Sequence, residues 1–292
     1  MKLKYGAGWE ACLVGLALLI AANGVRAQEA SGDVLARLRQ DGTIRIAYRV
    51  DAPPFSYLDK ADTPVGFMID LCRAVTDNIA QQIGRPALKV TYVPVTAADR
   101  FTAIAQGKAD LLCESTTETL SRREMVDFSL PTFVDGAGIL IRPGGPQNLQ
   151  QLAGKKLGVL GGTTTEAELR GSLKQAGITA DIVTVTTQAE GLAMLGSGKI
   201  AAYFADHAAL AYFIATGQAP AQAILAQNFL SIEPFALALP LGDEKFRLAV
   251  DRALSEIYRS GQIARIFAEA FGSQAQPGPA LKALYLITPL PE

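Results

Sequence analysis

The sequence predicts an α/β protein built as two similar lobes, and three observations carry that expectation. Apolar runs of strand length alternate with amphipathic segments of helical length, the pattern of β-α-β units with right-handed crossovers. The order strand, helix, strand, short helix, strand occurs twice, once on each side of Gly144-Gly145-Pro146. In both halves the short helix closes on Gly-Lys and feeds a strand: Ala105-Gln106-Gly107-Lys108-Ala109-Asp110 parallels Gly196-Ser197-Gly198-Lys199-Ile200-Ala201. The repeat is one of architecture, since sequence identity between the halves is slight.

After an amphipathic piece, Val34 to Gln40, the alternation Thr43 to Tyr48 reads as a strand ending in Arg49. Asp51-Ala52-Pro53-Pro54-Phe55 is expected as a turn, because adjacent prolines cannot continue a ladder. Phe67 to Cys72 opens a helix running to about Ile83, with Gly84 in the C-cap role. Leu88 to Val95 is then a strand, Ala98 to Gln106 a helix stopped by Gly107, and Ala109 to Cys113 a strand. In the second half, Leu157 to Leu160 is a strand, Thr165 to Gln175 a helix, Ile182 to Val185 a strand, Ala189 to Leu195 a helix, and Ile200 to Phe204 a strand reaching Asp206. Ala137 to Ile141 and Phe235 to Leu239 read as two segments crossing between lobes. That makes the first lobe discontinuous, 28–136 plus 234–292, around a second lobe at 137–233. A helix from Lys245 to Phe271 returns to the first lobe, and the chain from Pro277 onward is expected as a Pro-rich tail draped on the surface.

The N-terminus carries Lys2 and Lys4, an apolar run from Ala11 to Ala22, and Val25-Arg26-Ala27, whose small residues fit a secretory cleavage after Ala27. The run is too short for a comfortable membrane span, so residues 1–27 are expected to be a cleavable signal peptide directing the chain to the periplasm. Removing Lys2, Lys4 and Arg26 from 27 basic residues, and Glu10 from 28 acidic ones, leaves 24 and 27, a net charge of −3. Such a mildly acidic chain offers no basic field for nucleic acid or an anionic membrane. The exported part keeps Cys72 and Cys113, which in an oxidising compartment are either bridged or buried as small apolar thiols, the bridge being favoured. The sole histidine, His207, has no cysteine or histidine at ligand spacing, so no metal is expected.

In open α/β sheets ligands bind beyond the carboxyl ends of the strands. The most unusual stretch of the chain begins there: Ser115-Thr116-Thr117 follows a strand and leads to Arg122. A guanidinium can hold both oxygens of a carboxylate while hydroxyls and backbone N–H groups take the remaining lone pairs; an ordinary polar loop is the plain alternative. Strand ends in the first lobe also supply Arg49 and Arg100, either pocket groups or surface charges. The second lobe supplies Gly162-Thr163-Thr164-Thr165, an anion-favouring helix start or a simple N-cap. It also supplies Asp206, the partner of an ammonium group or the solvated N-cap of the next helix. Together these groups suit an α-amino acid, with or without a side-chain carboxylate. There is no Ser/His/Asp set, no free reactive cysteine and no Walker loop, so binding rather than catalysis is expected, with no cofactor.

These residues resemble family 3 of the periplasmic solute-binding proteins of amino-acid ABC transporters, in particular the glutamate/aspartate-binding branch. The likeness runs from about Gly42 to Phe271. It is carried by Tyr48-Arg49 through Pro54-Phe55-Ser56-Tyr57, Gly66-Phe67 through Asp70, Ser115-Thr116-Thr117 through Arg122, Val126-Asp127-Phe128-Ser129, Leu152-Ala153-Gly154-Lys155-Lys156, Gly162-Thr163-Thr164 and Asp206; Leu281 to Glu292 also looks like a tail of this branch. The resemblance implies a type II periplasmic-binding-protein fold that clamps a free amino acid and hands it to a membrane permease, as a monomer. It implies Arg122 on the α-carboxylate, helped by Ser115, Thr117, Thr163 and Thr164; Asp206 on the ammonium; and Arg49 and Arg100 on a side-chain carboxylate. Three positions depart from the branch: Ala97 stands where it has a serine, Gln188 where it has a histidine that touches ligand, and Ser121 where it has a glutamate. Two rivals keep the fold, a dehydratase of the cyclohexadienyl type using Glu114 or Glu118 as general acid, and a receptor for a non-amino-acid carboxylate. A third, a sensing module of a larger receptor, is not expected from a chain with no second long apolar run.

Overall fold

The structure is a computed structural model that describes residues 1, 33–227 and 230–291. Apart from Met1, the expected signal peptide 1–27 lies outside the described residues.

The chain starts with α1 (Val34–Asp41), whose first turn is held by Asp33 accepting from Ala36 N at 2.9 Å and whose end is set by Gly42 at φ 68°. Then follow β1 (Thr43–Arg49), β2 (Asp51–Ala52), β3 (Ser56–Leu58), β4 (Pro64–Val65), α2 (Phe67–Gln82), β5 (Lys89–Val95), α3 (Arg100–Ala105), β6 (Leu111–Leu112), β7 (Val126–Asp135) and β8 (Ala137–Ile141). The order continues with β9 (Lys156–Leu160), α4 (Thr164–Gln175), β10 (Asp181–Val185), α5 (Gln188–Gly196), β11 (Ala202–Asp206), α6 (His207–Ala215), β12 (Ile224–Leu225), β13 (Glu233–Pro240), α7 (Glu244–Arg259), α8 (Gln262–Phe271) and α9 (Pro279–Ile287).

Two five-stranded sheets result, ordered β5-β1-β6-β13-β7 and β10-β9-β11-β8-β12. In the first, β1 pairs parallel with β5 and β6, and β13 alone runs against the other four strands. In the second, β9 pairs parallel with β10 and β11, and β8 alone is reversed. Each sheet is thus mostly parallel with one antiparallel strand. The chain passes from the first sheet to the second at Gly136 and returns between Leu225 and Glu233.

Both faces of each sheet are covered. In the first lobe one core packs α1, α2, α7, α8 and α9 against the sheet, and a second lies beneath α3 around Ile104 and Phe128. In the second lobe α5 and α6 cover one face through Leu192, Leu195, Leu210 and Phe213, and α4 covers the other through Leu169 and Leu173. Phe133 on β7 and Phe235 on β13 stack at 6.1 Å between ring centroids, and Phe55 meets them edge-on at 4.9 and 5.5 Å. That aromatic knot ties the crossover strands to the loop after the cis Pro53-Pro54 bond. Gly66 is required beside it: at φ 120° a Cβ would lie 2.5 Å from Phe55 O.

Several expectations are corrected. The expected single helix Lys245 to Phe271 is two, because Gly261 adopts φ 75° and turns the chain between α7 and α8. The expected surface tail from Pro277 contains α9, started by Pro279 at its first turn, with Leu281 and Tyr285 buried and Tyr285 Oη donating to Thr132 O at 3.0 Å. The expected turn Asp51 to Phe55 begins with β2, which pairs with β3 in a small antiparallel sheet. The strand Ala109 to Cys113 shortens to β6, although Asp110 N and Cys113 N still bond to β1 carbonyls. Segment β7 was read from its residues only as a motif, and it is the longest strand.

Cys72 on α2 and Cys113 just after β6 form a disulfide across 41 positions. Closing a loop of that length stabilises the fold by about 4 kcal/mol in the chain-entropy description. Replacing both cysteines by serine is therefore expected to lower the unfolding free energy by about that amount, read from urea titrations of the oxidised protein and the double variant.

Candidate ligand-binding site

The residues expected from the sequence to touch ligand line one cavity in the seam between the lobes. Arg49, Arg100, Ser115, Thr117 and Arg122 come from the first lobe, and Thr163, Thr164, Gln188 and Asp206 from the second. The free space inside is only about 20 Å³, little more than one water occupies. The lobes are closed on each other.

Arg49 terminates β1 and is buried, with 3% of its surface exposed. Ser56 fixes its backbone, accepting from Arg49 N at 2.9 Å and donating to Arg49 O at 3.0 Å. Its Nε and Nη2 donate to Asp51 Oδ1 at 2.8 and 2.5 Å. Arg100 opens α3 and is equally buried. It donates from Nη1 to Ala97 O and from Nη2 to Gly162 O at 3.3 Å, the latter a contact from one lobe to the other. Its Nε lies 3.3 Å from Glu114 Oε1 without the alignment of a hydrogen bond. Burial pushes the Arg100 guanidinium below its ordinary pKa, and Glu114 opposes that shift.

Arg122 begins a 3-10 turn, Arg122–Glu124, and donates from Nη1 to Thr117 O at 2.6 Å. Arg100 and Arg122 sit 4.8 and 5.0 Å from the centroid of the Phe101 ring, which offers both a cation–π contact. Burial, and then the neighbouring Arg100 charge, lower the pKa of Arg122 to about 10. Among the described residues it has no acidic partner at ion-pair distance. A guanidinium so placed calls for an anion.

On the other side Thr163 caps α4, accepting from Glu166 N at 3.2 Å and donating to Leu160 O at 2.7 Å. Its hydroxyl is occupied by capping, as the plain reading of the threonine run had it. The first-turn N–H groups of α4 have no intrahelical acceptor and point where an anion is favoured. Asp206 stands at the N-cap position of α6 but makes no capping bond; Asp135 does that job, accepting from Ala208 N at 3.1 Å. The Asp206 carboxylate is thereby left to the cavity. Desolvation first, and the Asp135 and Glu233 charges next, hold its pKa well above the usual carboxylate range, while the Ser115 hydroxyl pulls it down. Gln188 is buried at the start of α5 and oriented by Tyr203 Oη, which donates to its Oε1 at 2.6 Å. The Tyr203 ring occupies the space a Cβ on Gly191 would need.

Sequence reasoning missed Glu233 and Asp135. Glu233, 4% exposed on β13, accepts from Thr164 at 2.6 Å, from Ser231 at 2.7 Å, and from Thr117. Thr117 and Thr164, one from each lobe, are also 3.1 Å apart at their hydroxyls. Glu233 is thus a clasp holding the two lobes at the floor of the site. Asp135 ends β7, marked in the sequence only by the motif at its start, and Glu233 opens β13, which read as an apolar run from Phe235, so nothing local marked them. The acid cluster Asp135, Asp206 and Glu233 forms an electronegative pole opposite the arginines.

Known proteins share the family and the fold. The family model described as bacterial extracellular solute-binding proteins, family 3, matches residues 44–273. The L-glutamate/L-aspartate-binding protein of Pseudomonas aeruginosa is 30% identical over 270 residues, 92% of this chain and 88% of that protein. The glutamate/aspartate import solute-binding protein of Escherichia coli is 27% identical over 266 residues, 90% of this chain and 88% of that protein. Among solved structures, an ancestral amino acid-binding protein, a precursor of cyclohexadienyl dehydratase, superposes with a TM-score of 0.72 at 27% identity, covering 82% of this chain and 99% of that one.

The raised acids have a consequence for stability. Burial and the Glu233 charge raise the pKa of Asp135 to about 6 from 3.8, so the fold favours its protonated form. That contribution is present in full below the unfolded value and is lost as pH rises through about 6. In urea titrations, stability of the unliganded protein is expected to fall between about pH 4 and pH 7, by up to roughly 3 kcal/mol from this group. Asp135→Asn, which keeps the cap, flattens that slope.

Proposed function

This chain belongs to family 3 of the bacterial extracellular solute-binding proteins, and we propose that it is a periplasmic receptor that closes on an L-amino acid, glutamate or aspartate first, and delivers it to an ABC transporter permease. Arg122 takes the α-carboxylate with Ser115, Thr117, Thr164 and the Thr163 end of α4. Asp206 takes the ammonium group. Arg49 and Arg100 face the side chain, with Gln188 beside them. The observation that carries the reading is the pair of opposed poles in one seam: an arginine without an acidic partner on one lobe and a capping-free carboxylate on the other.

The names of the Pseudomonas aeruginosa and Escherichia coli relatives support an acidic amino acid. The signal-like residues 1–27 support export, and the lobes 28–136 plus 234–292 and 137–233 would be the two jaws, working as a monomer. The dehydratase alternative is not favoured: Glu114 serves as the ion-pair partner of Arg100, and Glu118 is paired with Arg123 away from the cavity lining.

A charge-assisted contact in a dry site contributes roughly 1.5–3 kcal/mol. Isothermal titration of the exported protein with the twenty amino acids is expected to give binding to glutamate and aspartate, and Arg122→Ala to weaken every one of them by about 10- to 100-fold while the protein stays folded. Normal glutamate binding by Arg122→Ala would overturn the carboxylate assignment.

A further inference from the structure

Two of the three arginines in the cavity already carry a carboxylate of the protein. Arg49 places two N–H groups on one oxygen of Asp51, at 2.8 and 2.5 Å, and Arg100 has Glu114 at 3.3 Å. Arg122 has only a neutral acceptor, Thr117 O. An amino acid with its α-carboxylate on Arg122 therefore presents its side chain to two guanidiniums that are largely neutralised.

Asp51 differs from Glu114 in position. Glu114 is buried to 1% exposure and lines the cavity itself. The Asp51 side chain keeps 25% exposure and lines the groove that adjoins the cavity, the two meeting at Gln188. Asp51 lies on β2, just past the end of β1, and besides Arg49 its charge reaches the buried Tyr203 that orients Gln188. What it touches is Arg49.

We infer that Asp51 is a positioning residue for specificity: acting through Arg49, it competes with a ligand's side-chain carboxylate and narrows the margin by which acidic amino acids are held over their amides. The inference rests on the amino-acid reading of the cavity. A ligand carboxylate arriving at Arg49 must share it with a second anion a few ångströms away, and like charges disfavour each other at that range. An amide accepts from the same guanidinium through its oxygen without that repulsion and can donate to Asp51 through its nitrogen.

The test is isothermal titration of glutamate and glutamine against the wild-type protein, Asp51→Asn and Asp51→Ala, with thermal unfolding as a check on folding. Asn keeps an oxygen acceptor for Arg49 and nearly the same volume. The expected result is a glutamate-to-glutamine affinity ratio about tenfold or more above wild type in Asp51→Asn, in the same direction in Asp51→Ala. A ratio unchanged within about twofold, or a parallel loss for both ligands as a merely structural role would give, overturns the inference. If the wild-type protein binds one of the amino acids and only the ratio stays fixed, the amino-acid reading stands alone; if neither ligand, nor any other amino acid, binds wild type or variants, that reading and this inference fall together.

Discussion

Three guanidiniums and five carboxylates are packed into one seam between two sheets, and the rest of the structure answers that constraint. A charge removed from water costs several kcal/mol unless partners replace its hydration. Most of these groups find partners inside the protein: Arg49 takes Asp51, Arg100 takes Glu114 and two carbonyls, Glu233 takes three hydroxyls, and Asp135 takes the N-terminus of α6. Two charges stay incompletely matched, Arg122 and Asp206, and they lie on opposite lobes. The desolvation that displaces the pKa values of both is the same force that favours a molecule carrying a carboxylate at one end and an ammonium at the other.

The architecture makes that mismatch conditional on closure. Each partial pole sits at the carboxyl end of a parallel sheet, and the chain passes between the sheets at Gly136 and again between Leu225 and Glu233. The aromatic knot of Phe55, Phe133 and Phe235 packs on the first-lobe side of that crossing. Cross-lobe contacts include the Glu233 clasp on Thr117 and Thr164, Arg100 on Gly162 O, and the tilted rings of Tyr57 and Tyr212 at 5.7 Å. With about 20 Å³ free inside, the shut cavity holds little more than one water. A ligand shifts the balance between the open and shut arrangements by what it adds to the shut one.

Much of this was legible in the residues, for a definite reason. Strand ends are where open α/β sheets place ligand groups, and polar residues at the ends of apolar runs stand out: Arg49 after Thr43–Tyr48, Ser115 and Thr117 after Leu112, Asp206 after Phe204. The alternative readings of Arg49, Arg100 and Asp206 as solvated could not be separated from sequence, since exposure is a property of the packed lobes. Glu233 and Asp135 were hidden because they belong to the crossover strands, whose partners are far away in the chain: Glu233 meets Thr117 at a separation of 116 residues. The helix at Pro279 was hidden by its prolines, which signal a tail by composition and a helix start by position.

The protonation state of the acid cluster ties these points together. In the shut, unliganded seam Asp135, Asp206 and Glu233 repel one another, and the fold relieves the repulsion by favouring protons on the first two. An ammonium group placed against Asp206 supplies the missing positive charge, lowers the proton affinity of the cluster and expels what it held. On the proposed reading, ligand binding would then be coupled to proton release by linkage. In the proposed reading, recognition of the ammonium end and closure of the jaws would share one electrostatic cause, the unmatched charge of Asp206.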